Sequence, residues 1–267
     1  MATNPVSMKY SKRLGKDFKD VTHIYANGAV CETDSLGHSD PQTGLSPTEL
    51  VVHARDGFIP LWAKEVVLKW RFNERSMTIF RNPDQARDYL RNILAEGILL
   101  WEDAAPVKFK EVGPGDAWDF ELVVSPHKKC VPNVGCTLAS AFLPDGGRHE
   151  LTLYPDLFDV SPKEQAETMA HEIGHVFGLR HFFAQIEEQT WASEVFGEHN
   201  EHKPFSIMNY GKDSFMTATD RDDLKKLYNL VWSGALTEIN GTPIRLVHPF
   251  TTLRPLYGHE DLIAMRM

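Results

Sequence analysis

Residues 171–181 read His171-Glu172-Ile173-Gly174-His175-Val176-Phe177-Gly178-Leu179-Arg180-His181. His171 and His175 are four apart, so on a helix their rings leave one face with Cβ atoms about 5–6 Å apart. That separation suits two imidazoles on one tetrahedral Zn²⁺. Glu172 lies one residue round the helix, near enough to reach a water at the metal without being a ligand. Gly178 can take the left-handed conformation that ends a helix and turns the chain sharply. Beyond that turn, His181 can return as a third ligand. Three neutral ligands leave the fourth position open, which distinguishes a catalytic zinc site from a closed structural one. The pattern fixes five positions; at roughly equal residue frequencies, a chance match in a chain this long is on the order of one in ten thousand.

The flanks place this stretch on a helix. Ser161-Pro162-Lys163-Glu164 reads as an N-cap, a proline at the first helical position and a capping-box glutamate. No proline interrupts the run to Phe177, and Ala166, Met169, Ala170, Ile173, Val176 and Phe177 form an apolar face at helical spacing. A second signal follows at Ser206-Ile207-Met208-Asn209-Tyr210-Gly211.

A three-histidine motif of this form followed by a methionine turn resembles the metzincin clan of zinc endopeptidases. In that clan the methionine lies in a tight turn beneath the histidines as an apolar floor, a position that Met208 matches. The Met-x-Tyr form is similar to the astacin and serralysin branches, where the tyrosine swings to stabilise the reaction intermediate. Tyr210 matches that position; an ordinary packed tyrosine is the alternative. Two departures separate the chain from astacins: Phe182 stands where they carry a glutamate, and an acidic and aromatic insertion spans 185–202. The first strand and first helix are more similar to matrixins.

The resemblance implies an α+β fold, with a twisted mixed sheet and two long helices above an irregular lower subdomain that ends in a C-terminal helix. It also implies that the last strand before the zinc helix is an edge pairing antiparallel with an extended peptide. Here that strand is Glu150, Leu151, Thr152, Leu153 and Tyr154; an edge capped by a loop is the alternative. Phe205 and Phe215 are candidates either for the pocket wall or for the core.

Reading outward, residues 1–55 lack clear periodicity and are assigned to an N-terminal extension or pro-segment. Residues 56–232 form the catalytic domain and 233–267 a C-terminal extension. Within the domain, residues 65–72 (EVVLKWRF) are a strand candidate. Asn82-Pro83 opens a helix whose apolar face is Ala86, Tyr89, Leu90, Ile93, Leu94, Gly97, Ile98 and Trp101. Strands are expected over 107–112, 120–125 and 150–154. Thr219 and Asp222 are expected to cap a last helix reaching Leu230.

The chain has 267 residues, 42% of them hydrophobic, which suits one moderately sized globular enzyme domain with extensions. A net charge of −9 argues against nucleic acid or an anionic membrane as partner. No run approaches the roughly 18 apolar residues that span a bilayer. Residues 1–20 are polar and basic without the apolar core of a secretory signal. Action outside the producing cell is the expected reading, with a cytoplasmic location as the alternative. Oligomeric state is not legible.

Cys130 and Cys136 are six apart in a loop containing proline and glycine, so a small disulfide is sterically allowed and would imply an oxidising compartment. Cys31 is left over in the pro-segment. A thiolate there could fill the open metal position and silence the enzyme, similar to the cysteine switch of matrixins. Astacins use an aspartate for that task, which makes Asp34 a rival; a bland free or buried thiol is the third reading. His199 and His202 read as a solvated acidic loop. Asn240-Gly241-Thr242 is a glycosylation sequon followed by Pro243.

These features lead to one expected chemistry. Zn²⁺ lowers the pKa of a bound water to about 7 and polarises a peptide carbonyl. Glu172 takes the proton and returns it to the leaving amine, and Tyr210 hydrogen-bonds the oxyanion. One zinc ion is implied; for calcium, no ligand set is readable. The partner is then a protein or peptide substrate. A catalytically silent zinc-containing protein-binding module is the alternative, against which the intact Glu172 counts.

Overall fold

A computed structural model describes residues 29–30, 50–54, 57–131, 135–181, 193–196, 206–209 and 214–253. Its centre is a five-stranded sheet built from β4 (Val67–Phe72), β5 (Lys108–Glu111), β6 (Phe120–Val124), β9 (Ala139–Ser140) and β10 (His149–Leu153). The strand order is β5-β4-β6-β10-β9. β4, β5, β6 and β10 run parallel, and β9 pairs antiparallel with β10. Alternation explains β4: Leu68, Trp70 and Phe72 are buried, while Val67, Lys69 and Arg71 are only partly so. The α+β class, with a mixed sheet and long helices, is the one expected.

The sheet corrects one reading. Glu150, Leu151, Thr152, Leu153 and Tyr154 do not form the edge, because β9 lies outside them: Thr152 pairs with Ser140 and Leu153 with Ala139. The Tyr154 amide likewise donates to the Leu138 carbonyl. A two-residue strand carries too little alternation to register in a sequence, which leaves the longer neighbour looking outermost. Among the described residues, β9 is the outermost strand on that side of the sheet.

Among the described residues, five α-helical segments accompany the strands: α1 (Glu74–Met77), α2 (Pro83–Leu99), α3 (Pro162–Val176), α4 (Ala218–Trp232) and α5 (Phe250–Leu253). The Asn82 side chain accepts from the Gln85 amide to start α2, and the Ser161 side chain accepts from the Glu164 amide to start α3. α2 and α3 approach so closely that a Cβ on Gly97 would stand 2.5 Å from Met169 Cγ and 3.0 Å from the Ala170 nitrogen. The Trp101 indole donates to the Ala170 carbonyl at 2.9 Å and ties the two helices at depth.

α4 starts two residues earlier than expected and runs on to Trp232. The pattern T-x-x-D occurs twice, at 217–220 and at 219–222, and the first copy forms the cap. The Thr217 hydroxyl accepts the Asp220 amide at 3.1 Å, and the Asp220 carboxylate accepts the Thr217 amide at 2.9 Å.

The two terminal regions also contribute strands. β1 (Ala29–Val30) runs parallel to β8 (Gly135–Thr137), which forms a hairpin with β7 (Lys129–Val131). β2 (Leu50–His53) pairs with β11 (Ser193–Phe196), and Val52 forms an isolated antiparallel bridge with Leu179. Near the C-terminus, β12 (Glu238–Ile239) and β13 (Thr242–Val247) form a hairpin around Asn240-Gly241, both at positive φ as a tight two-residue turn requires. β13 then adds in parallel to β3 (Ile59–Trp62). Among the described residues, no helix is long and apolar enough to cross a membrane.

Candidate metal centre

α3 carries His171 and His175 on one face, both buried, and His181 is buried beside them. The His171 Nε2 lies 3.2 Å from the Nε2 of His175 and 3.2 Å from that of His181. Each of the two helical histidines has its other nitrogen against a carbonyl: Nδ1 of His171 is 2.7 Å from the Ile207 oxygen, and Nδ1 of His175 is 2.7 Å from the Leu179 oxygen. A carbonyl can only accept, so both Nδ1 atoms carry the proton and both Nε2 atoms present lone pairs. Converging lone pairs repel each other unless a cation lies between them. A tetrahedron with Zn–N bonds of about 2.0–2.1 Å has edges of about 3.3–3.4 Å, close to the observed spacing. The three imidazoles therefore fit a zinc ion in donor type and separation, and the two helical ones also in tautomer.

The turn that delivers His181 is a Schellman motif. Gly178 sits at φ +91, its amide donates to the His175 carbonyl at 2.8 Å, and the Leu179 amide donates to the Gly174 carbonyl at 3.0 Å. The next two carbonyls are taken by side chains from elsewhere. The Trp62 indole donates to Val176 O at 2.6 Å, and the Tyr228 hydroxyl donates to Phe177 O at 2.9 Å. All the carbonyls that a helix end leaves unpaired in water-free surroundings are thus satisfied here.

Met208 packs against α3 at Gly174. A Cβ built on Gly174 would stand 2.3 Å from Met208 Sδ and 3.1 Å from Trp101 Cζ2, so only glycine leaves room for the sulfur. The turn carrying Met208 is held by Asp220, which is 2% exposed. Its carboxylate accepts the Ser206 hydroxyl at 2.6 Å and the Ile207 amide at 3.2 Å, and the Ser206 hydroxyl in turn accepts the Met208 amide at 3.1 Å. Through the Ser206 hydroxyl, Asp220 holds the Ile207–Met208 peptide, whose carbonyl faces Nδ1 of His171.

Glu172 is 1% exposed, next to His171 on the same helix. Tyr210, Cys31, Asp34, Phe205, His199 and His202 lie outside the described residues. Phe215 is 44% exposed and so no core residue. Cys130 and Cys136 form a disulfide across the β7–β8 hairpin. The supporting residues Trp62, Trp101, Asp220 and Tyr228 were not legible as site residues. Only Asp220 left a trace in the sequence, as the fourth position of a T-x-x-D pattern.

No family model matches the chain. The chain is 30% identical to Stromelysin-3 of Rattus norvegicus over 121 residues, which are 42% of this chain and 25% of that protein. Stromelysin-1 of Mus musculus is 28% identical over 121 residues, with the same shares. Stromelysin-3 of Homo sapiens is 29% identical over 122 residues. The chain thus matches about a quarter of the length of these curated relatives. Among solved structures, that of myroilysin aligns with a TM-score of 0.42 at 16% identity, covering 67% of this chain and 98% of that one. Over that stretch, about two fifths of its length, the chain is similar to the stromelysins.

Proposed function

We propose that the protein is a zinc-dependent endopeptidase in which His171, His175 and His181 hold the ion and Glu172 is the base. The observation that carries this reading is the convergence of Nε2 atoms at 3.2 Å with their Nδ1 partners already fixed on carbonyls. When bound, a Zn²⁺ in such a site supplies Lewis acidity and lowers the pKa of a water to about 7. Glu172 accepts the proton of the attacking water and passes it to the departing amine, a role worth about 10²–10⁴ in rate. Tyr210 donates a hydrogen bond to the developing oxyanion, a contact of about 3–4 kcal/mol.

The substrate strand moves outward from the first expectation. β9, the outermost strand beside β10 among the described residues, offers its main-chain groups to an extended peptide whose side chains supply the selectivity. The Cys130–Cys136 disulfide supports function in an oxidising compartment, outside the producing cell. Residues 1–55 act as a pro-segment, with Cys31 or Asp34 as the latency ligand.

The test is cleavage of casein by the full chain and by a form lacking the first fifty residues, each with and without a zinc chelator. The expected result is hydrolysis that the chelator abolishes and stoichiometric zinc restores. Hydrolysis indifferent to chelator would refute the proposal. Activity confined to the shortened form would assign the N-terminus its inhibitory role, and equal activity of both would remove it.

A further inference from the structure

The Gly178 turn is packed from two sides, and both contacts lead to the C-terminal segment. A Cβ on Gly178 would stand 3.0 Å from Leu61 Cδ2 and 3.3 Å from Pro144 Cγ. Leu61 belongs to β3, against which β13 is laid in parallel with Leu246 opposite Leu61. The Ala63 amide continues that pairing by donating to the Val247 carbonyl at 3.0 Å. Pro144 belongs to the 141–148 connection between β9 and β10, and α5 presses on the same connection further along. A Cβ on Gly146 would meet Leu253 Cδ1 at 2.9 Å and the His248 oxygen at 3.3 Å. The Arg148 guanidinium lies 4.7 Å from the Trp118 ring and 4.4 Å from the Phe250 ring.

One buried carboxylate locks α5 in place. Asp119, 1% exposed, accepts the Thr251 amide at 2.7 Å and the Thr251 hydroxyl at 3.1 Å. The same carboxylate accepts the Lys69 amide of β4 at 2.8 Å. The backbone of Asp119 donates to the Lys69 carbonyl at 2.7 Å and accepts the His149 amide at 2.9 Å. The C-terminal turn is therefore referenced to the most deeply paired strands of the central sheet.

We propose that the segment Thr242–Leu253 is a brace that positions His181, and the Leu179 carbonyl that orients His175, by holding the Gly178 turn from both sides. The proposal rests on the zinc reading of the three histidines. Its residues are positioning residues: none of them touches the ion or the reacting atoms. The turn is tied by its two backbone hydrogen bonds, by the Trp62 and Tyr228 donors and by the Val52–Leu179 bridge; Leu61 and Pro144 add the packing that limits rocking about its glycine, and they do so only while β3 and the 141–148 connection are themselves held. Loosening the brace therefore costs metal retention before it costs the fold.

The experiment uses the full chain carrying Thr251→Val, which keeps the shape and the amide but deletes the hydroxyl bond to Asp119. A second variant adds Phe250→Ala, and Thr251→Ser serves as the rescue. Two quantities are read: the rate of zinc release to a chromogenic chelator, and amide hydrogen exchange of the metal-free protein. Release is expected to accelerate about threefold to tenfold, below the ten- to hundredfold typical of losing a direct partner of a ligand. Exchange at Gly178 and Leu179 rises in parallel, and Thr251→Ser restores both. Faster exchange over 248–253 with unchanged release and unchanged exchange at Gly178 and Leu179 would overturn the brace. A wild-type chain that retains no zinc sinks the metal reading instead; the exchange at Gly178 and Leu179 then decides the brace alone, a rise upholding it and no change removing it.

Discussion

The proposed zinc helix α3 and the proposed substrate edge β9 would serve one site, yet they are encoded in opposite ways. In α3 the chemistry is set by spacing along a single element: four residues put His175 under His171, and one glycine ends the helix so that His181 can return. At the edge the chemistry is set by which strand lies outermost. That is decided by β9, two residues long, pairing with β10. A local code survives without knowledge of the partners, whereas an edge is defined only by what does not lie beyond it.

The largest test of the local code is His175→Ala. It should abolish stoichiometric zinc, read by elemental analysis after gel filtration; full retention would mean that the converging nitrogens are not the metal site. Next comes Gly174→Ala, which asks whether the motif also depends on remote packing. The added methyl gains about 1 kcal/mol of helix propensity but meets Met208 Sδ at 2.3 Å and Trp101 at 3.1 Å. Overpacking costs about 1–3 kcal/mol, so a net loss is expected in denaturant unfolding, together with weaker zinc binding. A neutral or stabilising result would show that the methionine floor is not tightly seated.

Tyr228→Phe tests the helix end. The hydroxyl donates to the Phe177 carbonyl and accepts the Trp62 amide at 3.3 Å. Losing it leaves both buried groups short, at about 1–3 kcal/mol. Burial also holds the phenol well above its ordinary value of 10.0. The unfolded chain releases that proton near pH 10 while the folded one keeps it, so this stabilising contribution is complete below about pH 10 and declines as pH rises beyond it. The phenylalanine variant should lose that part of the alkaline decline, measured as thermal midpoint against pH. The smallest expected effect concerns the edge itself. A casein-derived peptide bound to the full chain should slow amide exchange at Ala139 and Ser140 and leave β10 unchanged; slowing confined to β10 would restore the first reading of the edge.

Legibility followed the same division. The helices α2 and α3, their Asn82 and Ser161 caps and the longer strands could be read because periodicity and capping are local. The start of α4 slipped by two residues because the capping pattern repeats, and the bond from Asp220 to the Ser206–Met208 turn that accompanies the first copy joins residues 14 apart. Trp62 and Tyr228 are far from α3 in sequence, and the carbonyls of Ile207 and Leu179 carry no side-chain signature at all. The brace formed by Thr242–Leu253 was invisible for that reason: Thr251 and Asp119 are 132 residues apart.

The most direct test of the central claim is one variant read in two ways: zinc content and casein hydrolysis of Glu172→Gln beside the wild type. The account predicts zinc equal to wild type with hydrolysis reduced by about 10²–10⁴, the share of a positioned general base. Undiminished hydrolysis at equal zinc would contradict the role of Glu172, and with it the mechanism built on this centre.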